Sequence, residues 1–223
     1  MPSPVNVVIP TKSNFTGLAE LLSDLSLDPV VGTVCIVADG QAAFDALPDP
    51  PEHILTITVP EGIGIQHMWN RGIEAVGRDA HITFLNDDVR LSPECLSSLA
   101  NSLDNDPIIG IICPNYSTVE MAEDRQVFNT CGSRYDGTGG LAGFAMMLRS
   151  DLARVYSFDE KLTWWYGDDD VLLWVTQTMG MHAVISHAAR CRHADSVTIR
   201  ANPPADFGRL VAEDREYFRS KWH

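Results

Sequence analysis

Two clusters of acidic residues carry the chemistry that can be read from this chain. The first is Asn86-Asp87-Asp88, which follows the apolar run His81-Ile82-Thr83-Phe84-Leu85 and precedes Val89. Adjacent carboxylates at the end of a buried strand suit a hard divalent cation, which takes oxygen ligands and can bridge to substrate phosphates. A polar strand-to-helix turn would use the same residue types, and on this stretch alone the two readings balance. The second cluster is Asp168-Asp169-Asp170, set directly after Trp164-Trp165-Tyr166-Gly167. One or two aspartates there could cap the helix that follows. Three mutually repelling acids beside aromatic rings that could stack on a sugar ask for more, and one carboxylate near a substrate hydroxyl could act as a general base. A third element, Ala189-Arg190-Cys191-Arg192-His193, adds an imidazole that matters if it lies beside Asp88.

The elements that must position these groups alternate between strand and helix. Val5-Asn6-Val7-Val8-Ile9, stopped by Pro10, reads as a buried first strand followed by the polar loop Thr11-Lys12-Ser13-Asn14. A helix from about Thr16 carries Leu18, Leu21, Leu22 and Leu25 at helical spacing, and 32–38 forms a second strand ending at Asp39-Gly40. A third strand covers 54–59, and a helix carries Ile65, Met68, Trp69, Gly72 and Ile73. Ser92 as cap and Pro93 in the first turn open the next helix, with Leu96, Leu99, Ala100 and Leu103 on one face. Strands follow at 108–113, 144–148 and 181–187, and a helix at 171–179 ends at Gly180 as its left-handed residue. This order predicts a parallel sheet with crossover helices, which puts Pro10, Thr11, Lys12 and Asp39 on one rim with Asp87 and Asp88. Residues 116–140 lack periodicity and include Gly137-Thr138-Gly139-Gly140. The string from Gly137 to Gly143 looks like a dinucleotide loop but precedes a strand, so it carries little weight.

With 223 residues, of which 45% are hydrophobic, the chain predicts one soluble domain over 1–223. Sixteen basic against 30 acidic residues give a net charge of -14, which argues against a broad grip on nucleic acid or an anionic membrane. The five cysteines are scattered, without a Cys-x-x-Cys pair, and are expected to be reduced and buried. That favours a cytoplasmic home. No signal-like n-region and no membrane-length apolar span are seen. An amphipathic helix at about 205–222 has an aromatic face that could pack on the domain or pair two copies as a homo-oligomer.

The order of these motifs resembles the family 2 glycosyltransferases, inverting enzymes of the GT-A fold, over roughly residues 5–198. The resemblance implies an α/β, Rossmann-like fold with a mixed, mostly parallel central sheet flanked by helices. Pro10, Thr11 and Lys12 then fall where the first strand meets the nucleotide, Asp39 where an acid contacts base or ribose, and Asn70 in the segment that usually reads Ala-Arg-Asn-x-Gly. Here that segment is Met68-Trp69-Asn70-Arg71-Gly72, without the family arginine. Phe84 to Val89 resembles the Asp-x-Asp element, with Asn86 at its first acidic position, Asp88 as principal metal ligand and Asp87 as a nucleotide-side helper. Gly140 to Leu148 and Phe158-Asp159-Glu160 are similar to the donor-sugar pocket, which Trp165 and Tyr166 extend toward the acceptor. Tyr166-Gly167-Asp168-Asp169 resembles the Gly-Glu-Asp box, which implies Asp169 as base and Asp168 as its acceptor-orienting neighbour. His193 matches the metal-binding histidine. The implied cofactor is Mn²⁺ (or Mg²⁺), and the implied partners are a nucleoside-diphosphate sugar, UDP being commonest, and an acceptor hydroxyl on a glycan, lipid-linked sugar, protein or nucleic acid.

Two other readings remain. A sugar-nucleotide pyrophosphorylase would carry a glycine-rich basic loop after strand one, where this chain has Pro10 to Asn14 and no glycine until Gly17. A catalytically silent nucleotide- or sugar-binding protein of the same fold is the alternative. The absent arginine and Asn86 favour it, whereas the surviving Asp88, Asp168, Asp169 and His193 oppose it.

Overall fold

The computed structural model describes residues 2–47, 51, 54–131, 139–194 and 206–222. Gly137 and Thr138 of the glycine cluster, and the start of the expected C-terminal helix, lie outside these. In chain order the elements are β1 Val5–Thr11, α1 Phe15–Ser26, β2 Val31–Asp39, α2 Gln41–Asp45, β3 Ile54–Val59, α3 Ile65–Val76, β4 His81–Leu85 and β5 Val89–Leu91. They continue as α4 Cys95–Asn105, β6 Ile109–Asn115, β7 Arg125–Val127, β8 Ala145–Leu148, α5 Ser150–Ala153, α6 Gly167–Leu173, β9 His182–His193 and α7 Phe207–Trp222.

The sheet runs β3-β2-β1-β4-β8-β6-β9-β5, with β7 on β9. Strands β3, β2, β1 and β4 are parallel, and β8 is antiparallel to both neighbours. Because β1, β4 and β6 are covered on both faces, they are buried almost without a break and mostly apolar instead of alternating. One face is packed by Leu18, Leu21 and Leu25 of α1 and by Leu96, Leu99 and Leu103 of α4. The other carries the aromatic group Trp69, Phe84 and Phe158, with Phe158 4.6 Å from Trp69 and 4.9 Å from Phe84. Trp69, standing where the family arginine is expected, is thus a core residue, 5% exposed.

Three local expectations change. The fourth helix begins at Cys95, after Glu94 in a left-handed conformation (φ 56°), and Ser92 does not cap it. Ser92 instead pairs with β9: its N–H donates to the Arg190 carbonyl (3.0 Å) and its hydroxyl accepts from the Arg190 N–H (3.3 Å). The cap comes from far away in sequence, since the buried Asp28 carboxylate accepts the N–H groups of Leu96 (2.8 Å) and Ser97 (3.2 Å) and the Ser97 hydroxyl. The helix expected at 171–179 begins at Gly167, so all three aspartates lie within its first turn, and it continues as a π-helical turn over Trp174–Thr178 before Gly180 (φ 65°). The last strand runs on to His193, because after a shift in register between Ser186 and Arg190 it goes on to pair with β5. All five cysteines are free, and four of them are buried. No helix among the described residues is long and apolar enough to cross a membrane.

Candidate active site

The first carboxylate cluster sits where β4 ends. The Asn86 N–H donates to the Phe144 carbonyl (2.9 Å), the chain turns through Asp87 and Asp88, and β5 then pairs Val89 directly with His193. That register brings His193 Nε2 to 3.0 Å from Asp88 Oδ1, with both side chains largely buried. The two atoms are close but misaligned for a hydrogen bond, and His193 Nε2 makes none. The imidazole is held in plane by Phe144, whose ring stacks on it at 4.1 Å and 3°. A buried imidazole nitrogen without a hydrogen bond, facing a carboxylate, fits two ligands of a divalent ion whose other ligands are phosphate and water. No set of three or more acidic, histidine or cysteine side chains converges anywhere among the described residues, so such an ion would depend on its substrate for the remainder of its shell.

Asp87 does not join this pair. Its Oδ2 accepts from the Thr11 hydroxyl (2.7 Å), while Asn14 Nδ2 donates to its carbonyl (3.0 Å), so it ties the end of β4 to the loop after β1. Burial, reinforced by the charge of Asp88 and opposed by the Thr11 bond, raises its pKa to about 6. Farther along the rim, beyond the buried Pro10 and Thr11, Lys12 Nζ lies 3.1 Å from both Asp39 and Glu61. Asp39 Oδ1 also accepts the Gly62 N–H (2.6 Å). Burial alone would lower the Lys12 pKa, but the bonds to Asp39 and Glu61 outweigh it and the net shift is upward. Asn70 is spent elsewhere: its amide donates to the Phe158 carbonyl (2.9 Å) and Glu160 (3.0 Å) and accepts the Phe158 N–H (2.9 Å).

The three aspartates of α6 have three different surroundings. Asp168 packs on the backbone at Gly143, where an added Cβ would lie 2.3 Å from its Oδ2. Burial, with the charge of Asp169 in support, raises the Asp168 pKa to about 7. Asp169 Oδ1 accepts from the buried Thr130 hydroxyl (2.8 Å). Asp170 turns away to the end of α7, where Trp222 Nε1 (2.8 Å), Lys221 Nζ (2.7 Å) and the Tyr156 hydroxyl (3.3 Å) meet it. Tyr166, at the N-cap of α6, makes no side-chain cap bond to it. Thr130 is brought up to Asp169 by a short pairing, in which Leu141 N–H donates to the Asn129 carbonyl and Cys131 N–H to the Leu141 carbonyl, both 2.9 Å. Gly140 lies in the same crossing, with its N–H donating to the Tyr116 hydroxyl (2.8 Å) and its carbonyl accepting from it (2.9 Å). Trp165 and Tyr166, expected to offer rings to a sugar, are turned to α7: Trp165 meets Phe207 edge-on at 4.9 Å, and Tyr166 stacks with Phe218 at 5.1 Å.

The two clusters are joined through one dipeptide. Gly143 bears on Asp168, while Phe144 stacks on His193 and accepts the Asn86 N–H. Sequence reasoning missed Thr130 and Glu61 as site residues. It included Gly143 and Phe144 only within the Gly140 to Leu148 stretch that resembles a donor-sugar pocket, and gave neither a role of its own.

No family model and no curated protein matches the chain. Solved structures do. GalNAc-T7 with UDP, GalNAc and Mn²⁺ aligns with a TM-score of 0.67 at 11% identity, covering 86% of this chain and 44% of that one. The mannosyltransferase PcManGT from Pyrobaculum calidifontis, in complex with GDP-Man and Mn²⁺, aligns with a TM-score of 0.60 at 17% identity, covering 87% and 57%. TarS 1-349 of S. aureus gives 0.57 at 15% identity, covering 84% and 60%. The chain therefore spans about half the length of these structures. What it shares with them is architecture: a mostly parallel sheet flanked by helices, the GT-A glycosyltransferase fold.

Proposed function

We propose that this protein is a metal-dependent inverting glycosyltransferase of family 2 type, transferring a hexosyl unit from a nucleoside-diphosphate sugar, UDP being the first choice, to an acceptor hydroxyl. The observation that supports the reading is the Gly143-Phe144 dipeptide, whose glycine bears on Asp168 of the α6 carboxylate pair and whose aromatic ring stacks on His193 beside Asp88. Structures of the same fold hold UDP or GDP-Man together with Mn²⁺, which supports a nucleotide-sugar donor.

Asp88 and His193 would hold the cation, Mn²⁺ or Mg²⁺, which when bound supplies charge neutralisation for the departing diphosphate. Lys12, Asp39 and Thr11 line the rim where the nucleoside would lie. Asp169 is the base: the Thr130 hydroxyl donates to one of its carboxylate oxygens and orients the group. Burial and the charge of Asp169 push the Asp168 pKa upward, so the adjacent pair resists carrying two charges. The acceptor oxygen attacks the anomeric carbon opposite the diphosphate as Asp169 takes its proton.

Calorimetry with UDP, GDP and dTDP, each with Mn²⁺ and with EDTA, tests the donor side. Binding of one diphosphate that needs metal and disappears in Asp88→Ala is expected. Asp169→Asn should then bind that donor normally and lose about 10²–10⁴-fold in transfer. A wild type that binds nucleotide tightly but neither transfers nor hydrolyses any donor would move the reading to a silent binding protein.

A further inference from the structure

We propose that α7 is a positioning element for the α6 carboxylate pair, with Asp214 as its principal residue; this rests on Asp168 and Asp169 being the reacting carboxylates. The segment that delivers them is gripped on both sides by this one helix. Ahead of the pair, the buried Asp214 carboxylate accepts three consecutive backbone N–H groups, Thr163 on Oδ1 (3.0 Å) and Trp164 and Trp165 on Oδ2 (2.8 Å each). Directly behind it, Asp170 receives Trp222 and Lys221 from the last turn of the same helix. A further anchor lies upstream, where Asp159 Oδ2 accepts from the Tyr217 hydroxyl (2.9 Å) and Lys221 Nζ (2.8 Å).

Between these grips the backbone adopts a shape it would not hold unaided. Tyr166 has φ 64° and ψ 6°, a left-handed conformation that side-chain-bearing residues rarely occupy, and its ring stacks on Phe218 of α7. Tyr166 is also the residue whose carbonyl accepts the Asp170 N–H (2.8 Å) and so starts the helical turn containing Asp168 and Asp169. Without α7, the contacts of Asp214, Tyr217, Lys221 and Trp222 and two ring contacts, Trp165 with Phe207 and Tyr166 with Phe218, are lost from 159–170, which keeps on its other side the bond from the Ile65 N–H to the Thr163 carbonyl (2.9 Å). Three consecutive N–H groups bonded to a single carboxylate are charge-assisted contacts, the strong kind. The helix therefore sets where the pair sits relative to Gly143 and Thr130, while the Asp88–His193 pair is built by β4, β5 and β9.

The test compares Asp214→Ala, Asp214→Asn and, as control, Glu213→Gln, whose side chain pairs with Arg209 on the exposed side of α7. Amide hydrogen exchange, kcat for transfer and the Kd of the preferred nucleoside diphosphate are measured on the full chain. In Asp214→Ala the amides of Thr163, Trp164, Trp165 and Asp170 should lose about 10-fold or more of their protection, those of β1 and β2 remaining protected. In the same variant kcat should fall roughly 10- to 100-fold with Kd changed less than about threefold. Asp214→Asn keeps an acceptor for the Trp164 and Trp165 amides and should be intermediate, and Glu213→Gln should match the wild type. Unchanged protection at Asp170, or an unchanged kcat, overturns the proposal. So does a parallel loss of protection in β1 and β2, which would make Asp214 a general folding residue. Should the wild type transfer no sugar at all, the glycosyltransferase reading fails by itself, and exchange at Asp170 still decides whether α7 sets the turn.

Discussion

Replacing Gly143 by alanine is the most direct test of the site as built. The backbone at Gly143 is not left-handed, so alanine is conformationally acceptable there and its effect is steric. The new Cβ would stand 2.3 Å from Asp168 Oδ2 and 2.7 Å from its Cβ and Cγ, whereas ordinary contact begins near 3.4 Å. The two groups must therefore separate by about 1.1 Å. The first turn of α6 is held by the Asp170 contacts at the end of α7, so it cannot simply slide away. Either the Asp168 carboxylate rotates out, or the 143–144 segment retreats and takes the His193 stacking partner with it. A displacement of this size at reacting groups costs on the order of 10²-fold in rate, about 2.7 kcal/mol in barrier. The overpacking itself destabilises by about 1–3 kcal/mol. The assay is kcat for sugar transfer at saturating donor and metal, with nucleoside-diphosphate Kd and the unfolding midpoint measured alongside. Gly208→Ala, where an added Cβ meets nothing within 4 Å, serves as control. A Gly143→Ala enzyme with kcat within about threefold of wild type would refute the argument that Gly143 sets the position of Asp168.

Three other outcomes are expected. Thr130→Val removes the donor to Asp169 Oδ1 with little change in volume and should lower kcat about 10-fold or more, with Thr130→Ser restoring most of it; an unaffected Val variant would show that the base is oriented by other groups. Asp168 binds its proton more tightly folded than unfolded, so between about pH 4 and about pH 7 the folded state holds more protons and wild-type stability falls as pH rises. Asp168→Asn removes that dependence: its stability relative to wild type should grow from pH 5 to pH 8 by on the order of 2 kcal/mol, allowing for the water that reaches a half-buried carboxylate, and a gap that stays constant in denaturant titrations would contradict the assignment. Asp28→Ala should destabilise the fold by about 2–3 kcal/mol through loss of the remote cap on α4, with an unchanged denaturation midpoint as the refuting result.

Much of the architecture was legible because it is written locally. Mostly apolar stretches of five to seven residues with β-branched side chains mark β1, β4 and β6, and leucines at helical spacing mark α1 and α4. The identity of the acids, and their place after strands and at a helix start, were equally visible. The start of α4 was misplaced because Ser92 has two competing partners, and the one that wins, Arg190, is 98 residues away.

The same limit governs the site. Sequence by itself determined that Asp87-Asp88 and Asp168-Asp169-Asp170 exist as clusters and that His193 follows the last strand, which in the structure runs on to include it. It could not divide labour within a cluster, because neighbouring aspartates have one chemistry and differ only in what surrounds them. Tertiary structure gave Asp87 to Thr11 and Asp88 to His193, Asp168 to Gly143, Asp169 to Thr130 and Asp170 to α7. It also turned Trp165 and Tyr166 from the expected sugar pocket onto the C-terminal helix. These choices rest on contacts between residues far apart in the chain, where packing and the need to satisfy buried polar groups override local pattern.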